Sequence, residues 1–372
     1  MVRDRNILIF VPHLYFGGVS TVLLRLLTGL VKSYYNVHIV VGAADSALIV
    51  SLQEINGLKI TVLNVIRSRN AIGLLRAILV RGHYDVVMGV QSHGAWVLAL
   101  AAFFSLYRGK VVSWEHTTPS KAFIQQSIIN KVFLSLVRVL YRRIDKIFAV
   151  SSGVAKDVQE IYDIEQDRIQ ILPSPIYSES ANRVKKHKTD QLHFLFVGRL
   201  SHEKGVYDIL QAFNKLGCDS WTLSIVGSGQ DEGMLKSYVN DNERLRKRVV
   251  FAGYYRDVTS WYIKSDVLIL ASYYEGLPTV LVEASVFGLP LIATDCESGP
   301  NEIVIPNKNG LLVPVGNYQM LSNAIKKMIV NFDDFDNNET FVISYRDDIA
   351  VEKFIRAFDD VIVGRRMDES SY

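Results

Sequence analysis

Two glutamates eight positions apart, Glu275 and Glu283, have the setting that most clearly indicates chemistry. An apolar run typical of a buried parallel strand, Val267–Leu270, precedes them. Pro278 suits the first turn of a helix, so Glu275 is expected on the preceding loop and Glu283 inside the helix. The free N–H groups of Leu277–Val280 and the positive end of the helix dipole then predict a binding site for a diphosphate.

The two carboxylates would repel a phosphate, so they are better suited to accept hydrogen bonds from hydroxyl groups. With a diphosphate between them, one carboxylate would face a sugar and the other a ribose. That is the shape of a nucleotide sugar. The alternative is a solvated glutamate followed by an ordinary glutamate on a helix face.

A pair of cations, Arg199 and Lys204, follows another apolar run, His193–Val197. Cleavage of a nucleotide sugar leaves negative charge on the nucleoside diphosphate, and positioned cations stabilise that charge. We predict this role for the pair because the glutamates already indicate a diphosphate. Taken alone, two cations on one loop would more commonly be solvated surface residues.

The elements that must position these residues are short β-branched runs alternating with helical patterns, as in parallel sheets with crossover helices. In the first half, the predicted strands are Ile7–Val11, Val37–Val41, Lys59–Leu63, Val86–Val90, Lys110–Trp114 and Lys146–Val150. In the second half, they are His193–Val197, Thr222–Val226, Val249–Ala252, Val267–Leu270, Leu291–Ala293 and Leu311–Val313. Ligands of such sheets bind beyond the carboxyl ends of the strands, where both motifs lie.

The length of 372 residues exceeds what one hydrophobic core usually serves, so two domains are expected. A polar, basic stretch ending in Lys185–Lys188 separates the two series of strands. We therefore predict an N-terminal Rossmann-like domain over 1–172, a linker over 173–190 and a second Rossmann-like domain over 191–348. Residues 349–372 are predicted to form a C-terminal helical segment that packs back on the first domain.

The glutamate pair, with Gly-Leu-Pro after its first member, forms an E-x7-E motif that resembles retaining glycosyltransferase family 4, the glycosyl transferases group 1 of bacterial surface-polysaccharide type. The resemblance extends over nearly the whole chain. It implies an α/β protein of the GT-B fold, with two Rossmann-like domains facing each other across a donor/acceptor cleft. It also implies transfer of a hexose or N-acetylhexosamine, with retention, from a nucleoside-diphosphate sugar to a hydroxyl of a lipid-linked or polysaccharide acceptor.

The resemblance also assigns roles to particular residues. Glu275 would contact the transferred sugar as a catalytic residue, Glu283 would bind the ribose, and the first domain would bind the acceptor. Arg199 and Lys204 would hold the diphosphate. The further donor-binding residues that it implies are Gly276, Leu277, Pro278, Thr279, Gly17, Gly18, Gly299, Asn301, Glu302 and Tyr254.

Several of these positions have ordinary structural alternatives. The pair Gly17-Gly18 would face the donor phosphate across the cleft, but a tight turn also explains it. His116, the other catalytic candidate, matches a histidine that lines the cleft in the family, whereas a hydrogen-bonded loop histidine is the alternative. Glu302 would accept a hydrogen bond from a sugar hydroxyl, or it would simply stabilise the first turn of a helix as a carboxylate. Ser298 or Asn301 could cap that helix.

The charge is unevenly distributed along the chain. Residues 1–180 carry 19 Lys or Arg against 12 Asp or Glu, whereas residues 181–372 carry 22 against 26. The basic half favours an anionic membrane surface or an acidic acceptor as partner, and no motif supports nucleic acid. The stretch 123–143 contains Lys131, Arg138, Arg142 and Arg143 and could form a helix that lies on that membrane. The alternative is a helix that packs on its own sheet and exposes its basic side to solvent.

No cofactor is expected, since the nucleotide sugar is a substrate and the two cations can replace a metal. No Asp-x-Asp motif stands at a strand end to hold Mg²⁺ or Mn²⁺. Two cysteines fit a reducing cytosol, and the apolar stretch Gly94–Tyr107 is too short to span a membrane. We therefore expect a cytoplasmic protein without a transmembrane segment, peripheral on the inner face of the membrane.

Two further activities remain open at this point. One is a GT-B sugar-nucleotide epimerase, which would react without an acceptor, and the other is a non-catalytic nucleotide-sugar-binding subunit. A dehydrogenase is least supported, because the glycines of Gly227–Gly233 do not have dinucleotide spacing. For a transferase, UDP is the favoured nucleotide, and both a front-face and a covalent route to retention are open.

Overall fold

The computed structural model describes residues 5–122, 128–178, 190–336 and 338–364. They form two compact units, the first running to Ile176 and resuming at Ser344, the second spanning Tyr177–Ile343. Most of the predicted linker, including its basic run Lys185–Lys188, lies outside the described residues. So do the first five residues of the stretch 123–143 and the end of the C-terminal segment beyond Gly364.

The first unit contains a seven-stranded parallel sheet with the strand order β3-β2-β1-β4-β5-β6-β7. Its strands are β1 (Arg5–Leu14), β2 (Tyr35–Ala44), β3 (Lys59–Val62), β4 (Val86–Val90), β5 (Lys110–Glu115), β6 (Lys146–Ala149) and β7 (Ile169–Ile171). The helices in the part of this unit that ends at Ile176 are α1 (Gly18–Lys32), α2 (Ser46–Gln53), α3 (Ile72–Arg81), α4 (Gln91–Phe104), α5 (Pro119–Ala122), α6 (Ile128–Tyr141) and α7 (Ser152–Tyr162). The central strands are buried along nearly their whole length, which explains their continuous apolar sequence.

The second unit contains a six-stranded parallel sheet with the order β10-β9-β8-β11-β12-β13. Its strands are β8 (Leu192–Val197), β9 (Trp221–Val226), β10 (Val249–Gly253), β11 (Val267–Leu270), β12 (Leu291–Thr294) and β13 (Gly310–Val313). Its helices are α8 (Val206–Asn214), α9 (Glu232–Asn240), α10 (Glu243–Arg246), α11 (Thr259–Lys264), α12 (Thr279–Val286), α13 (Pro300–Ile303) and α14 (Tyr318–Val330).

The C-terminal helix α15 (Asp347–Val363) belongs to the first unit. Phe354 lies on its buried face with its ring 5.0 Å from that of Trp114. Val351 fits against Gly29 of α1, where a Cβ would stand 2.5 Å from a Val351 methyl group. The Asp347 carboxylate accepts a 2.6 Å bond from Arg25 of the same helix α1. Apolar packing and this ion pair therefore fix α15 on the first unit.

The prediction of two Rossmann-like α/β domains is confirmed, with every predicted strand present within a few residues of its expected ends. The predicted buried helix at Gly94–Tyr107 corresponds to α4, half of whose residues are buried. Strand β7 was missed, because its three residues are too few to show a period and Ile171 is half exposed. Among the described residues, no helix has the length and apolarity needed to cross a bilayer.

Each sheet has one point where the chain reverses the direction in which it adds strands. In the first unit this point lies between β1 and β4, and in the second between β8 and β11. The loops leaving two such strands diverge to opposite sides, which opens a crevice at their carboxyl ends where ligands of α/β sheets bind. The loops after β8 and β11 carry the cations and the first glutamate of the sequence motifs.

The buried His38 on β2 makes the stability of the first unit dependent on pH. Its ring contacts the hydroxyls of Tyr84, at 2.6 Å, and Thr61, at 2.9 Å, and burial followed by the charge of Lys59 lowers its pKa to about 4. Between that value and the ordinary pKa near 6.5, the unfolded chain binds the proton and the folded one does not. Stability is therefore lost as the pH falls below about 6.5.

We expect His38→Gln to reduce this loss by up to about 1.4 kcal/mol per pH unit. The measurement is the free energy of unfolding in urea at pH 6.5 and pH 4.5 for both proteins. Carboxylate titration is common to the two chains and cancels in the comparison. Equal pH slopes would contradict the account.

Candidate functional site

The loop after β8 ends in a short helical turn that positions Lys204. His202–Lys204 forms the turn, and Gly205 ends it with a left-handed φ of 62° before α8 begins. Arg199, earlier in the loop, has a side chain that is 72% exposed and lies 3.8 Å from the Glu203 carboxylate. Lys204 instead points inward and is 24% exposed. The loop thus offers one exposed and one half-buried cation.

The loop after β11 holds Glu275 in a defined position. Glu275 Oε1 accepts hydrogen bonds from Lys204 Nζ at 2.6 Å and from Ser272 Oγ at 2.7 Å, and the side chain is only 10% exposed. Ser272 is itself buried, and its carbonyl accepts a 2.6 Å bond from Thr294 Oγ1 of β12. The two motifs, 71 residues apart in the chain, therefore meet in one ion pair.

Close backbone packing brings these two loops together. A Cβ on Gly205 would stand 2.0 Å from the Ala271 carbonyl oxygen, so only glycine fits there. The Tyr273 N–H donates to the Glu203 carbonyl at 2.8 Å, and the Tyr273 ring stacks on His202 with centroids 4.9 Å apart. The backbone contacts between the two loops therefore set the relative positions of Lys204 and Glu275.

Gly205→Ala is expected to separate Lys204 from Glu275. The left-handed conformation alone costs roughly 1 to 2 kcal/mol for alanine, and the contact with Ala271 adds to it. Calorimetric titration should show that the variant binds UDP at least about tenfold more weakly than the natural chain does, since 1.4 kcal/mol corresponds to a factor of ten. Gly217→Ala is the matched control, because a Cβ there meets no atom within 4 Å. Equal UDP affinities of the two variants would contradict this role of the backbone.

Helix α12 begins at Thr279, one residue later than predicted. Pro278 has an extended ψ of 91° and precedes the helix, instead of forming its first turn. Because proline has no N–H, the amides available at this helix start are those of Leu277, Thr279 and Val280 rather than the whole run. The first turn closes with a 3.0 Å bond from Leu281 N to the Pro278 carbonyl. The expected helix start is thus present, Glu275 lies on the loop before it, and its binding of an anion stays a prediction.

Glu283 lies inside α12, as predicted, and its carboxylate has a partner that the sequence did not indicate. Tyr262 of α11 donates a 2.6 Å hydrogen bond to Glu283 Oε2. Burial and the charge of Glu283 hold the pKa of Tyr262 well above its usual range, so the phenol keeps its proton and remains a donor. The Tyr262 ring stacks on Phe287 at 5.4 Å, which fixes its orientation and that of the carboxylate.

The segment after β12 packs directly on the glutamate loop. Ser298 Oγ donates to the Gly276 carbonyl at 2.8 Å, and a Cβ on Gly299 would stand 2.5 Å from Pro278. Gly299, with φ of 93°, precedes Pro300 at the first position of α13, and no side chain caps this helix. The expected cap from Ser298 or Asn301 was therefore wrong, because the Ser298 hydroxyl is used by the neighbouring loop.

Two other predicted donor residues lie in the same unit. Glu302 is in the first turn of the short helix α13, next to the exposed Asn301. Tyr254 follows β10 at the edge of the sheet and is 56% exposed. The glycine-rich turn near it has a packing reason, since a Cβ on Gly227 would stand 1.8 Å from the Gly198 carbonyl.

His116 lies in the first unit, directly after β5, and is buried. Its ring centroid is 4.2 Å from that of Trp114, and burial lowers the pKa of His116 to about 3, so the imidazole is neutral. Within the described residues, His116 Nε2 has no hydrogen-bond partner. A buried polar atom without a partner is costly, and the role of His116 in catalysis stays a prediction. Gly17 precedes α1 and Gly18 begins it, with open space around Gly17.

A buried carboxylate beside His116 was missed from the sequence. Glu115 accepts hydrogen bonds from the hydroxyls of Ser113, Ser92 and Tyr141 at 2.7, 2.7 and 2.6 Å. Burial raises its pKa despite these bonds. A glutamate directly after the predicted strand Lys110–Trp114 was the available signal. Among the described residues, no group of three or more His, Cys, Asp or Glu side chains has the arrangement of a metal site.

Comparison with known proteins places both halves of the chain among related sequences. Residues 178–339 match the model of a family described as glycosyl transferases group 1, and residues 16–179 match that of Glycosyltransferase Family 4. The lipopolysaccharide 1,6-galactosyltransferase of Salmonella typhimurium is 30% identical over 174 residues, which cover 45% of this chain and 48% of that protein.

A second relative comes from Campylobacter jejuni, the N-acetylgalactosamine-N,N'-diacetylbacillosaminyl-diphospho-undecaprenol 4-alpha-N-acetylgalactosaminyltransferase. It is 27% identical over 237 residues, covering 62% of this chain and 64% of that protein. The matched part of this chain spans about half the length of several such relatives, for example 50 to 52%. The fold is similar to that of Anabaena HepE in complex with UDP and glucose, with a TM-score of 0.78, 18% identity, and coverage of 94% of this chain and 98% of that one.

Proposed function

The chain belongs to the glycosyl transferases group 1, with a GT-B fold, and on that premise we propose that it transfers a sugar with retention from a nucleoside-diphosphate sugar to a hydroxyl of a lipid-linked or polysaccharide acceptor. The observation that carries the proposal is the Lys204–Glu275 pair at the switch point of the second sheet. It joins a phosphate-binding cation to a hydroxyl-binding carboxylate at the edge where such sheets bind nucleotides.

The diphosphate binds at the start of α12 and between the two cations. The amides of Thr279 and Val280 and the positive end of the helix dipole attract its oxygens, and Lys204 and the exposed Arg199 neutralise its charge. Lys204 can contact a phosphate while keeping one of its three N–H bonds on Glu275. This arrangement stabilises the leaving group without a divalent metal, so EDTA should leave turnover unchanged.

The two glutamates bind the ends of the donor that carry hydroxyl groups. Glu275 keeps acceptor capacity beyond the bonds to Lys204 and Ser272 and orients the hydroxyls of the transferred sugar. Glu283, oriented by Tyr262, binds the ribose. Because each carboxylate is held by a buried hydroxyl, the site is arranged before the donor binds, which lowers the cost of ordering it.

A hexose or N-acetylhexosamine attached to UDP is the favoured donor. Support comes from the names of the Salmonella and Campylobacter relatives, a galactosyltransferase and an N-acetylgalactosaminyltransferase, and from the UDP held by Anabaena HepE. The diphospho-undecaprenol in the name of the Campylobacter protein supports a lipid-linked glycan as acceptor.

Retention is best served by a front-face route. The acceptor oxygen bonds to the anomeric carbon on the side from which the diphosphate departs, and the acceptor proton moves to the departing phosphate oxygen. This route needs no protein nucleophile. It fits a Glu275 whose Oε1 is engaged by Lys204 and Ser272 and whose Oε2 orients the sugar hydroxyls, so that neither oxygen has to act as a nucleophile. Trapping a glycosyl-Glu275 adduct by mass spectrometry would contradict the front-face route.

The basic first unit is suited to contact an anionic membrane surface, where a lipid-linked acceptor resides. Leu136 and Val139 of α6 are more than half exposed, and Arg143 lies 4.3 Å over the ring of the exposed Phe103. Each Lys or Arg near such a surface contributes about 1 kcal/mol. The chain should therefore sediment with phosphatidylglycerol vesicles at low salt and remain in solution with phosphatidylcholine vesicles. Failure to bind the anionic vesicles would remove this part of the proposal.

The experiment that tests the activity is an incubation of the purified chain with UDP- and GDP-sugars, with and without candidate acceptors. We expect nucleoside diphosphate to be released, and the rate to rise when an acceptor glycan is added. Conversion of the donor to its epimer without an acceptor would identify an epimerase instead. Donor binding by calorimetry without turnover on any acceptor would identify a non-catalytic subunit.

A further inference from the structure

A partly buried tyrosine on the loop after β11 makes contacts that the proposed reaction does not use. Tyr273 lies between Glu275 and Ser272, whose hydroxyl donates to the Glu275 carboxylate. The Tyr273 hydroxyl donates a 2.9 Å hydrogen bond to Asp208 Oδ2, in the first turn of α8. The loop that carries Glu275 is therefore joined to the helix that follows the loop after β8.

This hydrogen bond has the charge states that it needs at neutral pH. Burial, followed by the hydrogen bond and the charge of Asp208, raises the pKa of Tyr273 above its ordinary value, so the phenol keeps its proton. The positive end of the α8 dipole favours the charged form of the Asp208 carboxylate. A Cβ on Gly316, in the turn after β13, would stand 3.6 Å from the Tyr273 ring, so the backbone of that turn borders the ring. The phenol ring is thus held both at its hydroxyl and along one edge.

The Tyr273 ring also contacts the short helical turn that carries Lys204. His202, the first residue of that turn, stacks on the ring at an angle of 22°, with centroids 4.9 Å apart. Lys204 N donates to the Ser201 carbonyl at 2.9 Å, and Gly205 N donates to the His202 carbonyl at 3.1 Å. His202 and Lys204 therefore belong to one hydrogen-bonded turn, and a contact that fixes His202 also restricts Lys204.

The stack matters because Lys204 is a long side chain held in one position. Ordering a lysine costs conformational entropy, which the contacts around it must offset. Lys204 Nζ nevertheless lies 2.6 Å from Glu275 Oε1, in a pair whose side chains are 24% and 10% exposed. The stack adds a side-chain contact to the 2.8 Å backbone bond from Tyr273 N to the Glu203 carbonyl. It thereby limits the movement of the turn against the loop that carries Glu275.

We propose that the stack of His202 on Tyr273 fixes the position of Lys204 before the nucleotide sugar binds. Asp208 orients the stack through the Tyr273 hydroxyl. These three are positioning residues that act through Lys204, and none of them has to touch the donor. The inference rests on the proposed transferase function and explains how its cation is held against Glu275. Direct contact of the His202 imidazole with the diphosphate is the opposite result, and the test distinguishes the two.

The binding test compares two substitutions of the exposed His202. His202→Phe keeps an aromatic ring on Tyr273, whereas His202→Ala removes it. Calorimetric titration with UDP should give a Kd within about twofold of that of the natural chain for His202→Phe and about tenfold higher for His202→Ala. Equal losses in the two variants would assign His202 to direct phosphate contact and overturn the proposal, as would an unchanged Kd in His202→Ala.

The control for these variants is a second ring pair of the same unit. Tyr238 of α9 and Tyr207 of α8 have centroids that are also 4.9 Å apart. Tyr238→Leu removes that contact and should leave the Kd for UDP unchanged. A loss in Tyr238→Leu as large as that in His202→Ala would show that any lost ring contact weakens binding, which would overturn the proposal.

A double-mutant cycle tests whether the stack acts through Lys204. Tyr273→Leu should weaken UDP binding about tenfold in the natural chain and less than about twofold in Lys204→Met, because the cation that it positions is then absent. Tyr273→Phe keeps the stack without the hydroxyl and should lose less affinity than Tyr273→Leu. Equal fold losses for Tyr273→Leu in the two backgrounds, or equal losses for the two Tyr273 variants, would overturn the proposal.

A crystal structure of His202→Ala without nucleotide separates this proposal from the transferase function itself. His202 is exposed, so its removal leaves the core intact. We expect Lys204 Nζ to lie beyond the limit of about 4 Å for an ion pair with Glu275. A pair unchanged at 2.6 Å would overturn the positioning role. A natural chain that binds no UDP and releases no nucleoside diphosphate from any donor would instead refute the function, and this structure would still decide the role of the stack.

Discussion

Glu275→Gln is expected to lower kcat by at least about a hundredfold, the usual effect of removing one preorganised electrostatic group from a reaction centre. Glutamine keeps the size of the side chain and can still accept the bond from Ser272 Oγ. It lacks the negative charge that pairs with Lys204 and strengthens the bonds to the sugar hydroxyls. The measurement is the rate of nucleoside-diphosphate release at saturating donor.

The control for this substitution is an ion pair of the same length elsewhere in the second unit. Glu243 and Lys247 are also 2.6 Å apart, but both side chains are well over half exposed and lie on the surface. Glu243→Gln should leave kcat unchanged, because such exposed pairs contribute little. Full turnover by Glu275→Gln, with folding intact by circular dichroism, would contradict a role for Glu275 in the reaction.

Lys204→Met is expected to weaken UDP binding by about 10- to 100-fold, which corresponds to the 1.5 to 3 kcal/mol of a hydrogen bond to a charged group. The substitution removes a cation from the phosphate site and also leaves the Glu275 carboxylate, only 10% exposed, without its ionic partner. That carboxylate would then repel the diphosphate. Calorimetric titration with UDP measures the loss, with Lys247→Met as the control.

A double substitution distinguishes these two causes. If repulsion by Glu275 accounts for part of the loss, Lys204→Met combined with Glu275→Gln should bind UDP more tightly than Lys204→Met alone. Turnover should stay low in the double variant, because the sugar-orienting charge is absent. Affinity of Lys204→Met equal to that of the natural chain would contradict contact between Lys204 and the diphosphate.

The sequence predicted the local structure around the candidate site well. A buried parallel strand has a continuous apolar sequence, so β11 and β8 could be recognised, and with them the loops that carry Glu275 and Lys204. The positions of Glu275 before α12 and Glu283 within it followed from Pro278, although the proline stands just before the helix. These inferences depend on neighbours in the chain, where backbone preferences act.

Contacts between segments that are far apart in the chain could not be predicted from the sequence. Lys204 and Glu275 meet because β8 and β11 are adjacent in the sheet, an order that the residues of neither strand indicate. The same reason hid the bond from Tyr262 to Glu283, which joins two helices. Ser298 was expected, with Asn301 as the alternative, to cap a helix, and its actual bond to the Gly276 carbonyl was not foreseen because it depends on how two loops pack.

The first unit shows the same limit. His116 was noticed from its motif, but the hydroxyls of Ser92 and Tyr141 that donate to the neighbouring Glu115 had no local signal, since they lie on α4 and α6. They meet at this carboxylate because β4 and β5 are neighbours in the sheet. A chemical cluster of this kind is a property of topology more than of spacing in the chain.

A crystal structure of the full chain with UDP tests the central claim most directly. The account predicts the diphosphate within hydrogen-bonding distance of Lys204 Nζ and of the amides of Thr279 and Val280, with the ribose at the Glu283 carboxylate. UDP bound away from the loops after β8 and β11 would contradict it.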